Sequence, residues 1–208
     1  MHRNKVIFLF IITTALMFSA GCSTIETPPT TIQYYTLEYD PPAPEQNMKT
    51  IPAIIRIERF SAVNPFDDAK MAFREKPYSL DTYHYEKWRA KPGDMVSFFL
   101  SRDMKSASLF KGVFLYVGQY EPTHVVEGSV EGFYEKDGEK NWEAVMEVSV
   151  TLIRADRLDI LFQKRYRFYE PAPEKTPKGV AQAMSAAMKS FSAAVTEDIT
   201  AAISQTSK

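Results

Sequence analysis

Residues 142–153 read WEAVMEVSVTLI, and this stretch decides the class of fold. Trp142, Ala144, Met146, Val148, Val150 and Leu152 alternate with Glu143, Glu147, Ser149 and Thr151. Strand side chains point to opposite faces with a period of two, so this segment is a strand with one buried and one wet face. Runs of similar character flank it, His124 to Tyr134 before and Leu158 to Tyr169 after. Asp137-Gly138 and Arg154 to Arg157 separate them and are good turn signals, so the three runs are expected to form an antiparallel meander.

Two helices frame this meander. After it, Thr176-Pro177 supplies an N-cap with proline at the first helical position, and a helix is expected to about Ser204. Val180, Met184, Met188, Phe191, Val195, Ile199 and Ile203 recur at steps of three and four, with Gln182, Ser185, Lys189, Ser192 and Thr196 opposite. Such a stripe could meet a membrane or a partner helix, but its polar face is serine-rich and cation-poor, which favours packing on a sheet. Upstream, Pro92-Gly93-Asp94 opens a helix whose apolar face is Val96, Phe99, Leu100 and Met104, ending between Ser108 and Gly112. Val113 to Val117 is wholly apolar and reads as a strand covered on both faces. In EGSVEGF, Gly128 and Gly132 thin one face of a strand for close packing.

Nearer the N-terminus, Ile32 to Tyr39 and Ile54 to Phe60 read as strands, with a linker forced by Pro41, Pro42 and Pro44. Lys70 to Trp88 holds two short β-type runs broken at Lys76-Pro77, an arm-like hairpin carrying Tyr78, Tyr83, Tyr85 and Trp88. With Tyr34 and Tyr35 these aromatics form the densest candidate for a contact surface, because Tyr and Trp bury much area at little rotamer cost. A small secondary core beneath the hairpin accounts for them equally well.

At the extreme N-terminus a basic leader (His2, Arg3, Lys5) and an apolar run from Val6 to Phe18 precede Ser19-Ala20-Gly21-Cys22. This is the pattern of a bacterial lipoprotein signal over residues 1–21, cut between Gly21 and Cys22, although Ser19 stands where such signals usually carry an aliphatic residue. The apolar run falls short of the roughly 20 residues that span a bilayer. Cys22, the only cysteine, would take the covalent lipid, and with several acyl chains such anchoring is effectively permanent. Residues 22–31 then form a tether and 32–208 a single domain. Ser23 in the second position of the processed chain points to the outer membrane, facing the periplasm.

Processing at Cys22 removes Arg3 and Lys5 and leaves a net charge of about −3, with no basic patch for nucleic acid. Catalytic signals are weak. His84 and His124 lie in separate strand-like runs, and no zinc, phosphate-loop or nucleophile-elbow motif occurs. Asp67-Asp68, Glu131 with Glu135, and Glu143 with Glu147 could each be imagined as an acid/base pair, and among 26 Asp and Glu chance pairing accounts for them. No metal or dissociable cofactor is implied.

In order along the chain, YYTL from Tyr34, MAFREKPYSLDTYHYEKWRAKPGDMV from Met71 to Val96, ILFQKRY from Ile160 and AMSAAM from Ala183 resemble the ABC-type transport auxiliary lipoprotein family. The family is similar to paraquat-inducible protein C. The resemblance implies a non-enzymatic lipoprotein that works with an MCE-domain protein and its permease or ATPase in moving lipids or other hydrophobic compounds across the Gram-negative envelope. It also implies an α/β three-layer sandwich with a mixed, roughly five-stranded sheet, like the N-terminal domain of TolB, and assembly into homo-oligomeric rings. Arg74, Tyr83, Tyr85 and Trp88 of the hairpin are then expected to contact the MCE partner or a sister subunit. Two other functions remain: a lipid carrier whose groove is lined by Met184, Met188 and Phe191, or a surface hydrolase built on the carboxylates.

Overall fold

The alternating stretch becomes a central strand of one mixed sheet. The computed structural model describes residues 31–44, 49–116, 118 and 120–206; Gly21, Cys22 and the rest of the leader and tether up to residue 30 lie outside the described residues. In chain order the elements are β1 (Gln33–Tyr35), β2 (Ile51–Ile57), β3 (Ser61–Ala62), β4 (Lys70–Arg74), β5 (Asp81–Trp88), α1 (Pro92–Ala107), β6 (Phe110–Leu115), β7 (His124–Lys136), β8 (Glu143–Arg154), β9 (Asp159–Pro171) and α2 (Pro177–Thr206).

β7, β8 and β9 form the expected antiparallel meander, with Val130 opposite Val148 and Val148 opposite Tyr166. The other side of β7 is shared in succession by β2, β3 and β4, all parallel to it. β6 extends the sheet beyond β2, and β5 then β1 extend it beyond β4. β6 therefore lies at an edge, paired to β2 only, and with only Phe110 and Val113 buried it is not covered on both faces as its apolar run led us to expect. The sheet counts nine strands among the described residues, where the resemblance implied roughly five; two of them, β1 and β3, are only three and two residues long.

The helix signals are accurate. Thr176 Oγ1 accepts the amide of Gly179 at 3.1 Å, which satisfies one of the free donors of the first turn of α2. Every residue of the α2 stripe from Val180 to Ile203 is at most 3% exposed. Burial of each large side chain contributes about 1.5–3 kcal/mol of transfer free energy, so this stripe is a main source of fold stability. It meets the even-numbered side of β8, where Ala144, Met146, Val148, Val150 and Leu152 are fully buried. Phe191 receives the edges of the Tyr166 and Phe168 rings of β9.

α1 docks on the same side. It contacts α2 directly, and its Val96, Leu100 and Met104 join Ile55, Ile57, Val126 and the α2 stripe in one core. The opposite side of the meander carries Glu131, Glu147, Arg165 and Arg167 in an ion-pair network and receives no helix. The described residues thus stack in two layers, where the resemblance implied three. The alternation in β8 already required this outcome, since a sheet with one polar face has only one face to cover.

A second correction concerns the hairpin. β4 and β5 pair antiparallel as expected, but β4 is hydrogen-bonded to β7, with Ala72 opposite Tyr134, so the hairpin belongs to the sheet and does not project as an arm. Met71 and Trp88, each 1% exposed, root it in the core. Ile32 to Tyr39 also departs from expectation: the strand stops at Tyr35, and the chain then crosses the helix pair. Along this strap the Glu38 amide donates to Ser185 Oγ at 3.0 Å, Tyr39 hydroxyl to Asp103 at 2.7 Å, and Ser106 Oγ to the Pro42 carbonyl at 2.7 Å.

Close approach at Phe60 sets how α1 meets the sheet. Ser97 Oγ accepts the Phe60 amide at 2.8 Å while donating to the Gly93 carbonyl, and a Cβ on Gly93 would lie 2.3 Å from the Phe60 carbonyl. On the sheet side, a Cβ on Gly128 would lie 2.2 Å from the Phe60 ring. Gly128→Ala is therefore expected to cost about 1–3 kcal/mol by overpacking. Gly132→Ala, whose methyl would meet the flexible Glu147 side chain at 3.2 Å, should cost clearly less. Denaturant midpoints of the two variants check the order.

Candidate functional site

The aromatic residues singled out from sequence divide into two sets. Tyr34 of edge strand β1 is half exposed, with the Arg89 guanidinium 5.2 Å from its ring centre, and Tyr85 of β5 is exposed. Tyr78, in the turn between β4 and β5, is fully exposed and held at φ 64°, a backbone region costly for a bulky residue. These three lie on adjacent elements at one end of the sheet. Trp88, Tyr83 and Arg74 do not form a surface with them. Trp88 is 1% exposed, edge-on to Phe133 at 5.1 Å, and is a core residue. The secondary-core reading describes it, and the physical reason is its register opposite Tyr35 at the foot of the hairpin.

Tyr83 is half-buried against Phe73, ring centres 4.6 Å apart, and its hydroxyl donates to Glu135 Oε1 at 2.9 Å. Burial, then the Glu135 charge, raises its pKa. Tyr35 is pushed up to about 12, by desolvation first and then by its bond to Glu86. Arg74 covers the Tyr134 ring at 4.5 Å and donates to its hydroxyl at 3.2 Å. Glu135 was weighed from sequence only as a partner for Glu131. The structure puts the two on opposite faces, because Glu131 occupies a bulge between the Val130 and Gly132 pairings. Glu131 accepts Ser149 Oγ at 2.6 Å and pairs with Arg165 at 2.7 Å, while Glu135 is 1% exposed beneath the hairpin.

The remaining carboxylates are similarly occupied. Asp67 pairs with Lys91, Glu143 with Lys136 and Glu147 with Arg165. Glu147 is more enclosed than its solvent-facing alternation implied, since Arg165 and Arg167 fold over it. His84 is exposed. His124 is buried with Nδ1 2.8 Å from Thr123 Oγ1, and desolvation lowers its pKa. Among the described residues no three His, Cys, Asp or Glu side chains are placed to hold a metal ion, and no helix is long and apolar enough to cross a membrane.

Met184, Met188 and Phe191, expected to line an acyl groove, are fully buried in the core and line no open space. A groove of about 580 Å³ does exist on the other side of α2, between it and α1, bounded by Pro42, Asp103, Ala107, Leu109, Ser192 and Thr196. The strap that walls it was missed from sequence. Its only signal was the alternation of Leu37 with Tyr39, which fits a strand as well as a crossing segment.

Comparison with known proteins adds the following. The model of a family described as ABC-type transport auxiliary lipoprotein component matches residues 35–196. A crystal structure of a Xanthomonas campestris protein is similar with a TM-score of 0.76 at 16% identity, covering 84% of this chain and 98% of that one. The crystal structure of an uncharacterized protein gives a TM-score of 0.65 at 10% identity, covering 81% and 99%. Both likenesses establish a shared α/β fold with an open mixed sheet. No curated protein matches the sequence.

Burial separates the aromatic residues energetically. Trp88→Ala is expected to destabilise the protein by about 3–5 kcal/mol, whereas Tyr78→Ala and Tyr85→Ala should leave the denaturation midpoint unchanged. Equilibrium unfolding of the three variants checks this.

Proposed function

The chain belongs to the family of ABC-type transport auxiliary lipoprotein components, and on that premise we propose that it is the lipid-anchored recognition subunit of an MCE-type transporter of lipids or other hydrophobic compounds. Its general role follows from the family: an accessory component of an ABC-type transport system in the Gram-negative envelope, acting without catalysis of its own. In the proposal, residues 1–21 are the signal peptide, Cys22 carries the acyl chains and residues up to 31 tether the domain 32–208 at the outer membrane, facing the periplasm. Partners are the MCE-domain protein with its permease or ATPase, and further copies of the chain in a ring.

One observation carries the choice of contact surface. Tyr34, Tyr78 and Tyr85 are exposed along the end of the sheet formed by β1 and the hairpin, and Tyr78 is held out in a costly backbone conformation. Exposed tyrosines offer large contact area at low entropic cost, and strained positions concentrate at functional sites. Tyr35, half-buried behind Tyr34, supports this edge and is not proposed to touch the partner directly.

Palmitate labelling is expected in the wild type and lost in Cys22→Ser. Affinity isolation from solubilised envelopes should recover an MCE-domain protein with the wild type, and much less of it with a variant in which Tyr34, Tyr78 and Tyr85 are all alanine. Unchanged recovery with a folded triple variant removes this edge from the interface.

A further inference from the structure

Beneath the hairpin is a cluster of polar atoms that the proposed function does not use. Of the eight buried side-chain nitrogen and oxygen atoms without a hydrogen-bond partner among the described residues, five belong to Arg74, Glu86, Trp88, Glu135 and Asp137. Two of the five are carboxylate oxygens two residues apart, Glu135 Oε2 and Asp137 Oδ1. Residues at i and i+2 of an extended chain share a face, and the Asp137 amide continues the ladder onto Arg74 one residue past the end of β7, so these carboxyl groups lie on one side of the chain. An ionised carboxylate only accepts, and two of them cannot satisfy one another. A single proton placed between them satisfies both oxygens at once.

We propose that Glu135 and Asp137 share one proton between Oε2 and Oδ1, and that this proton latches the β4–β5 hairpin onto the end of β7. The latch runs through named contacts. Glu135 stands in register with Phe73 of β4 and with Ala144 of β8, and its other oxygen accepts the Tyr83 hydroxyl of β5 at 2.9 Å. The Asp137 amide donates to the Arg74 carbonyl at 2.9 Å, so both members of the pair also touch the hairpin. While the proton is present, the pair carries one negative charge. When it leaves for solvent base, two adjacent anions remain in a site where Glu135 is 1% exposed.

Among the described residues no cation forms an ion pair with either carboxyl group. Arg74 lies over the Tyr134 ring and donates to its hydroxyl, with only its Nε left unpartnered, while Lys136 is engaged with Glu143 and Lys175 with the carbonyls of Gly138 and Glu139. The remaining titratable neighbours, Tyr83 and Glu86, add no positive charge. Opening the hairpin, which admits water, relieves the repulsion. Desolvation, and then the bond to Asp137, push the Glu135 carboxyl from its ordinary 4.5 up to about 8, against the opposing pull of the Tyr83 hydroxyl. The folded state thus retains a proton that the unfolded chain has released above pH 4.5, so stability falls as pH rises from there to about 8 and is flat beyond.

Hydrogen exchange of the purified full chain, read for the hairpin (residues 70–88) relative to α2 in the same sample, tests the latch. The ratio cancels the intrinsic pH dependence of exchange. Hairpin protection is expected to drop by about tenfold or more between about pH 6 and about pH 9 in the wild type. In Glu135→Gln, whose amide donates at every pH, the drop should vanish. In Asp137→Asn it should move to lower pH, because the neighbouring charge is gone. Glu86→Gln, the internal control, should keep the transition. Hairpin protection that is constant over this range in the wild type, or a drop that persists in Glu135→Gln, overturns the proposal. Asp137→Asn decides the matter should Glu135→Gln fail to fold, since an unshifted transition there also overturns it.

Discussion

Two missing methyl groups set the architecture. Gly93 and Gly128 approach Phe60 from opposite sides, one from the first turn of α1 and the other from the middle of β7, and a Cβ at either would overlap it. Phe60, 3% exposed, is thereby wedged where the chain leaves β2, with its amide held by Ser97. This fixes the depth at which α1 lies on the sheet. The core depends on that depth: at close packing, a helix that stood further off would leave voids around Val96, Leu100 and Met104, all fully buried.

The legible parts of the fold were those with a strong period. Alternation in 142–153 and the three-four stripe from Val180 to Ile203 each commit a face to the core, and both elements formed close to their expected bounds. Of the candidate site, residue type alone singled out the tyrosines, and it could not tell which of them stand exposed. What could not be read depended on long-range pairing. Strand order is set by which edges meet, and β7 takes three short partners on one side, a choice with no local signature. Trp88 looks the same in sequence whether it faces a partner or Phe133. Glu131 and Glu135 share a face on paper, and a single bulged residue separates them.

The uncovered face of the meander shows how one sheet can be both wet and ordered. Arg165 bridges Glu131 at 2.7 Å and Glu147 at 2.5 Å, tying β7, β8 and β9 together across the strand direction. Exposed ion pairs contribute little singly, but Glu147 is largely enclosed and receives two arginines, so the network resists slippage of register more than it adds to stability. A one-residue slip of β9 would carry Arg165 to the helix side and Tyr166 out of its contact with Phe191.

The strap from Leu37 to Pro42 has a mechanical meaning. Were the chain anchored by its N-terminus as proposed, any tug from the bilayer would enter the domain at β1, whose three residues pair with β5 in parallel and would be loaded in shear, so that the rungs share the strain instead of unzipping one by one. Force that passes this point reaches the strap, which is fastened to α2 at Ser185 and to α1 at Asp103 and Ser106. The pull is thus shared between the β1–β5 rungs and the helix pair, so that neither the sheet edge nor the helices would carry it alone.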